Sequence, residues 1–259
     1  YNIENGTNYL VVLGTTAEVA TLSKEEKDQV IKHVIKINSK RLPLVLGIGG
    51  NNTLEVKKQI QETDLSDFDA VLSVSPYYNK PNQEGLYQHY KALAETGKQI
   101  IIYNVPGRTG QNIEASTTLR LANDFPNLFM IKEACPNINQ YFDILRKKPA
   151  GFSLVSGDDE NTLPVTLAGG DGVISVIGQG YPKEFSTMVQ LAFEGKVKEA
   201  YEIHNKLVDI TRLIFVEGNP CGIKTILAEK GIIKNYLRLP LVVASEGLQA
   251  KIKAEMAKI

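Results

Sequence analysis

The chain has 259 residues, 43% hydrophobic and 22% charged, which bounds a globular protein long enough for one large α/β domain. Lysine plus arginine and aspartate plus glutamate number 29 each, so no basic field exists to attract nucleic acid or an anionic membrane. No apolar run approaches the roughly 20 residues of a membrane span. The two cysteines, Cys135 and Cys221, form no disulfide framework, and His33, His89 and His204 lie far apart in sequence, so no metal site is expected.

The first residues, Tyr1-Asn-Ile-Glu-Asn-Gly6, do not run basic-then-apolar as a signal peptide does, and a cytoplasmic protein is the expectation. They read as a helix tail ending on a glycine cap. Apolar runs bounded by turn residues then predict strands at 9–13, 44–48, 70–74, 100–103, 128–131, 152–155 and 172–176. Helical patterns separate most of them. Ser23-Lys-Glu-Glu26 is a capping box ahead of Val30, Ile31, Val34 and Ile35, and Asn52-Thr-Leu-Glu55 repeats the device ahead of Val56 and Ile60. Asn82 caps a helix that stops at Gly97, and weaker helices follow at 115–123, 138–147 and 162–168.

Seven β units in a row predict parallel topology, either a barrel or an open doubly wound sheet. The preferred fold is an α/β, (β/α)8 TIM barrel with its first βα unit largely absent from this sequence, so a longer native N-terminus is expected. Helices at 184–193, 196–216, 222–230 and 245–258 exceed what closing a barrel requires. The predicted division is therefore a barrel over 1–182 and a C-terminal helical extension over 183–259.

In a parallel barrel the loops after the strands converge on one face, where the chemistry sits. The run Leu128-Phe-Met-Ile-Lys132 carries four apolar residues straight into a lysine. A buried lysine can lose roughly 3–5 pKa units from about 10.4, and a neutral amine attacks carbonyls. The plain alternative is a strand-end lysine reaching solvent. Gly14-Thr-Thr reads as a turn and cap or as a carboxylate site. Tyr103 reads as a proton shuttle or a core aromatic, and Arg108 as a carboxylate clamp or a solvated loop arginine. Gly47-Ile-Gly-Gly-Asn51 lacks the glycine spacing of a nucleotide loop.

Taken together, Gly14-Thr-Thr-Ala-Glu18, Ser75-Pro-Tyr-Tyr-Asn79, Tyr103-Asn-Val-Pro-Gly-Arg-Thr-Gly110 and Ile131-Lys-Glu-Ala134 occur in order, each after its own strand. The combination resembles the dihydrodipicolinate synthases of the pyruvate-dependent class I aldolase superfamily, over essentially the whole chain. The resemblance implies that Lys132 forms a Schiff base with pyruvate and Tyr103 shuttles protons. Thr15 would connect Tyr103 to Tyr78, which would reach in from a neighbouring subunit. Thr16 would bind the pyruvate carboxylate, Arg108 would hold the carboxylate of aspartate semialdehyde, and Gly157 and Ile174 would line the site. It further implies small-molecule substrates, a pathway toward diaminopimelate and lysine, no cofactor and a homotetramer built as a dimer of dimers.

Departures from the family pattern carry their own expectations. Ala17 stands where glycine is usual and is expected to fit. The inhibitor positions of lysine-regulated relatives match here at Asn51, Glu55 and Tyr77. Lys24 and Lys27 fall where such relatives often carry histidine, and Val19 replaces a small polar residue. Two added cations predict weak or absent lysine feedback. Two alternatives stay open: an N-acetylneuraminate lyase or sugar-acid aldolase of the same superfamily, and a non-catalytic regulator that binds pyruvate or an amino acid.

Overall fold

The computed structural model describes residues 1–259. Six strands, β1 (Leu10–Val12), β2 (Leu44–Gly47), β3 (Ala70–Val74), β4 (Ile100–Asn104), β5 (Leu128–Glu133) and β6 (Ser153–Ser156), form one sheet. They are all parallel and pair in sequence order. The seventh predicted strand is corrected to a single bridge, Val173 against Ser156. Gly172 precedes it at φ 124° and Val176 follows it in helical geometry, so extended backbone has no room to continue.

Helices α1 (Lys24–Asn38), α2 (Thr53–Glu62), α3 (Gln83–Ala94), α4 (Pro106–Thr109), α5 (Ala115–Asp124), α6 (Ile138–Lys147) and α7 (Thr162–Leu167) follow strands. Their starts obey local chemistry. Ser23 N–H donates to the Glu26 carboxylate and Glu26 N–H to Ser23 Oγ, the reciprocal pair of a capping box. The side chains of Asn52, Asn82 and Asn137 accept from the first turns of α2, α3 and α6. The remaining helices are α8 (Pro182–Phe193), α9 (Val197–Leu213), α10 (Cys221–Glu229) and α11 (Glu246–Met256).

By contacts the chain divides into two units, one of residues 9–12 and 35–174, the other of 1–8, 13–34 and 175–259. The first holds the whole sheet. Val45, Leu72, Ile101 and Val155 on its inner face pack into one core with Ile174 and the half-buried Tyr9 and Val11. The sheet is thus curled, and the Tyr9 hydroxyl, just before β1, donates to the carbonyl of Val173 at 3.4 Å. On the outer face, Ile100, Ile102, Leu128 and Leu154 are fully buried, as are Tyr90 of α3 and Tyr141 of α6. The second unit packs α8 on α9 and both α9 and α10 on α11. Its ion pairs include a two-pronged Arg238–Glu26 contact at 2.7 and 2.6 Å and a Lys224–Glu18 pair. No helix is long and apolar enough to cross a membrane.

One irregularity decides where the chemistry faces. Ile100 pairs with Leu128 but Ile101 pairs with Met130, so Phe129 is an extra residue in β5. Phe129 and Met130 both pack on the inner core. Strict alternation from the buried outer Leu128 would have sent Lys132 outward. The bulge reverses the parity and sets Lys132 opposite Tyr103 on the inner face.

Candidate active site

Lys132 sits at the C-terminal end of β5 and is 8% exposed. Its Nζ lies 4.2 Å from the centroid of the Tyr103 ring on β4. Gly157, just after β6, closes the other side. A Cβ there would stand 2.9 Å from Lys132 Cε and 2.8 Å from Ala134 Cβ. Ile174 packs in the same core as Tyr103 and Val155, its N–H bonded to the Ser156 carbonyl at 2.9 Å. Four residues named from the sequence, Lys132, Tyr103, Gly157 and Ile174, therefore meet at the C-terminal ends of the strands.

The Gly157 contact predicts a mutant phenotype. Gly157→Ala must displace the lysine stem, and a misplacement near 1 Å costs about 10²-fold in rate. The expected result is a kcat lowered by about that factor, with an overpacking cost of about 1–3 kcal/mol read as a lower Tm. A kcat within twofold of wild type would show that the lysine does not depend on this wall.

The other named residues lie on loops and turns. Arg108 is exposed on α4, a one-turn helix, where a turn had been expected. Tyr78 is 89% exposed at φ 73°, a left-handed conformation that a bulky side chain rarely adopts. Its loop is tied to the loop after β2: Asn51 Nδ2 donates to the Tyr77 carbonyl at 3.1 Å and Asn79 Nδ2 to the Asn51 carbonyl at 2.8 Å. Asn51 and Tyr77 are thereby neighbours, while Glu55 is exposed in the first turn of α2. In the second unit, Thr15 opens a 3-10 turn over Thr15–Ala17, and Thr16 Oγ1 accepts from Asn219 Nδ2 at 2.9 Å. Ala17 keeps a negative φ and Glu18 takes the left-handed position instead, so alanine fits as expected.

Sequence reasoning missed the residues behind the lysine. Glu133 and Asn104 are fully buried on the outer face and bonded to each other at 2.8 Å. The signal was present: when Lys132 and Glu133 adjoin at the end of a buried strand, one must face each side.

A buried amine over a tyrosine, at the C-terminal end of a parallel strand, is the arrangement of an α/β protein that condenses its amine with a carbonyl. The model of the Dihydrodipicolinate synthetase family matches residues 1–259. A 4-hydroxy-tetrahydrodipicolinate synthase of Flavobacterium psychrophilum is 55% identical over 253 residues, 97% of this chain and 86% of that protein. The crystal structure of dihydrodipicolinate synthase from Thermotoga maritima superposes with a TM-score of 0.97 at 40% identity, covering 100% of this chain and 89% of that one. The enzyme from Acinetobacter baumannii, chloride-inhibited and complexed with pyruvate, superposes with a TM-score of 0.95 at 39% identity, covering 99% and 88%. The chain belongs to the dihydrodipicolinate synthetase family.

Proposed function

We propose that this chain condenses pyruvate with aspartate 4-semialdehyde to 4-hydroxy-tetrahydrodipicolinate, on the path to diaminopimelate and lysine. The observation that carries the reading at the level of chemistry is the buried Lys132 amine, 4.2 Å over the Tyr103 ring. The curled parallel sheet is read as the greater part of a (β/α)8 barrel, with 1–182 as its catalytic portion and 183–259 as appended helices.

The steps follow from that pair. The Lys132 amine attacks C2 of pyruvate, giving up its proton to a base, and loss of water leaves an iminium. The iminium draws electrons from the methyl group, which releases a proton to a base and becomes an enamine. The enamine carbon attacks the aldehyde, whose oxygen takes up a proton. The amino group of the second substrate then adds to C2 and expels Lys132, closing the ring and restoring the amine. The Tyr103 hydroxyl moves the protons. Burial keeps bulk water from competing for the imine. Family resemblance, rather than any distance, assigns Thr15 and Tyr78 to the proton relay, Thr16 and Arg108 to the substrate carboxylates, and a homotetramer to the assembly.

Two assays run side by side test the reading. Purified protein is given pyruvate plus aspartate semialdehyde, and separately N-acetylneuraminate. Condensation without cleavage of the sugar acid is the expected result; cleavage alone would move the chain to the sugar-acid branch. In the same condensation assay, lysine is expected to inhibit weakly or not at all, because Lys24 and Lys27 stand, by family resemblance, at positions that would add cations beside an ammonium-bearing inhibitor. An inhibition constant as low as that of strongly regulated relatives would contradict this.

A further inference from the structure

Glu133 follows Lys132 on β5, and Asn104 follows Tyr103 on β4. The register pairs Tyr103 with Lys132 and Asn104 with Glu133. Since side chains alternate across a strand, the second pair lies directly behind the first. Glu133 joins four pieces of the fold. Its Oε1 accepts from Asn104 Nδ2 and from the Cys135 N–H, both at 2.8 Å, and its Oε2 accepts from Gln140 Nε2 of α6 at 2.8 Å. Its main-chain carbonyl accepts from the Tyr141 hydroxyl at 2.8 Å and the Gly157 N–H at 2.6 Å. Residue 133 thus holds Gly157, the wall against which Lys132 Cε rests.

Every partner of the carboxylate is a donor, and the donors cannot turn around. Asn104 Oδ1 already accepts from the Ile113 N–H at 3.0 Å, and Gln140 Oε1 from Asn112 Nδ2 at 2.8 Å. Flipping either amide would break those bonds. Oε1 accepts from two donors and Oε2 from one, so a protonated Glu133 carries its O–H on the remaining Oε2 site and, without its charge, accepts more weakly from all three donors.

We propose that Glu133 is a positioning residue for the condensation: its carboxylate clamps the end of β5 to the end of β4 and to α6, while its main-chain carbonyl holds the Gly157 turn, and together these fix Lys132 against Tyr103. The inference rests on Lys132 being the Schiff-base residue. Burial pushes the Glu133 carboxyl up to about 7, against the pull of Gln140, the Cys135 N–H and Asn104. The titratable groups around it are the Cys135 thiol and, from α6, the Tyr141 hydroxyl, both raised by burial. Asp158 follows Gly157 in the loop after β6, and Lys132 lies on the opposite face of the strand. The clamp is closed above the Glu133 pKa and loosens as pH falls through about 7.

The test measures kcat, KM for pyruvate and the pH profile of kcat/KM for wild type, Glu133→Gln and Gln140→Leu. Wild type is expected to lose kcat/KM as pH falls through about 7. Glu133→Gln keeps the fold but lowers kcat by about 10- to 100-fold, with pyruvate KM within about threefold, and its low-pH limb vanishes. Gln140→Leu removes a donor to the carboxylate, so the limb should move up by about half a unit or more. A purely structural role would lower Tm and leave the limb where it was. Wild-type kcat in Glu133→Gln, or an unshifted limb in Gln140→Leu, would overturn the proposal; should Glu133→Gln fail to fold, Gln140→Leu decides alone. Failure of wild type to form a borohydride-stable pyruvate adduct would instead overturn the Lys132 assignment on which the clamp depends.

Discussion

Lys132→Ala is expected to lower kcat for the condensation by about four orders of magnitude or more, because it removes the atom that bonds to the substrate. No neighbour can substitute. The Tyr103 hydroxyl cannot form an imine. Lys132→Arg should fail equally, since a guanidinium stays protonated and is no nucleophile. Both variants should remain folded, because the sheet's register and its outer core do not involve the amine. Steady-state rates with circular dichroism as the folding control check this. A folded Lys132→Ala retaining a tenth of wild-type kcat would be incompatible with the mechanism.

Tyr103→Phe comes second, with an expected loss of about 10²–10⁴ in kcat, the usual worth of a positioned acid–base group. The substitution keeps the ring beneath the amine and removes only the hydroxyl, so packing in the inner core should be preserved. Imine formation should slow but not stop, since the amine remains. Single-turnover measurements with pyruvate separate these steps. A kcat within threefold of wild type would show that the ring alone matters and that another group moves the protons.

Much of this arrangement is legible in the sequence because it depends on local chemistry. The capping box at Ser23 and Glu26 forms both of its bonds and Asn82 caps its helix as the spacing dictates, whereas the Asn52 side chain accepts only from the Leu54 N–H and Glu55 does not complete the expected box. The parallel sheet follows from apolar runs alternating with helices. What the sequence conceals is non-local. Nothing in Leu128-Phe-Met-Ile-Lys132 announces a bulge at Phe129, because the bulge exists only relative to β4. Yet it decides which face the lysine takes. The strand predicted at 172–176 shrank to one bridge because Gly172 takes a φ that apolarity cannot forecast. That Glu133 faces away from Lys132 follows from alternation, but its bond to Asn104 depends on the β4–β5 register, which the sequence does not display. Tyr78 is exposed, in keeping with a residue expected to reach toward a neighbouring subunit, but its left-handed φ is not legible in the sequence.

The most direct test is reductive trapping: incubate the protein with pyruvate, reduce with borohydride, and map the modified peptide by mass spectrometry. The predicted result is one reduced pyruvate on the peptide carrying Lys132, and none on Lys132→Ala. An adduct on a different lysine, or no adduct at all on the native protein, would contradict the account.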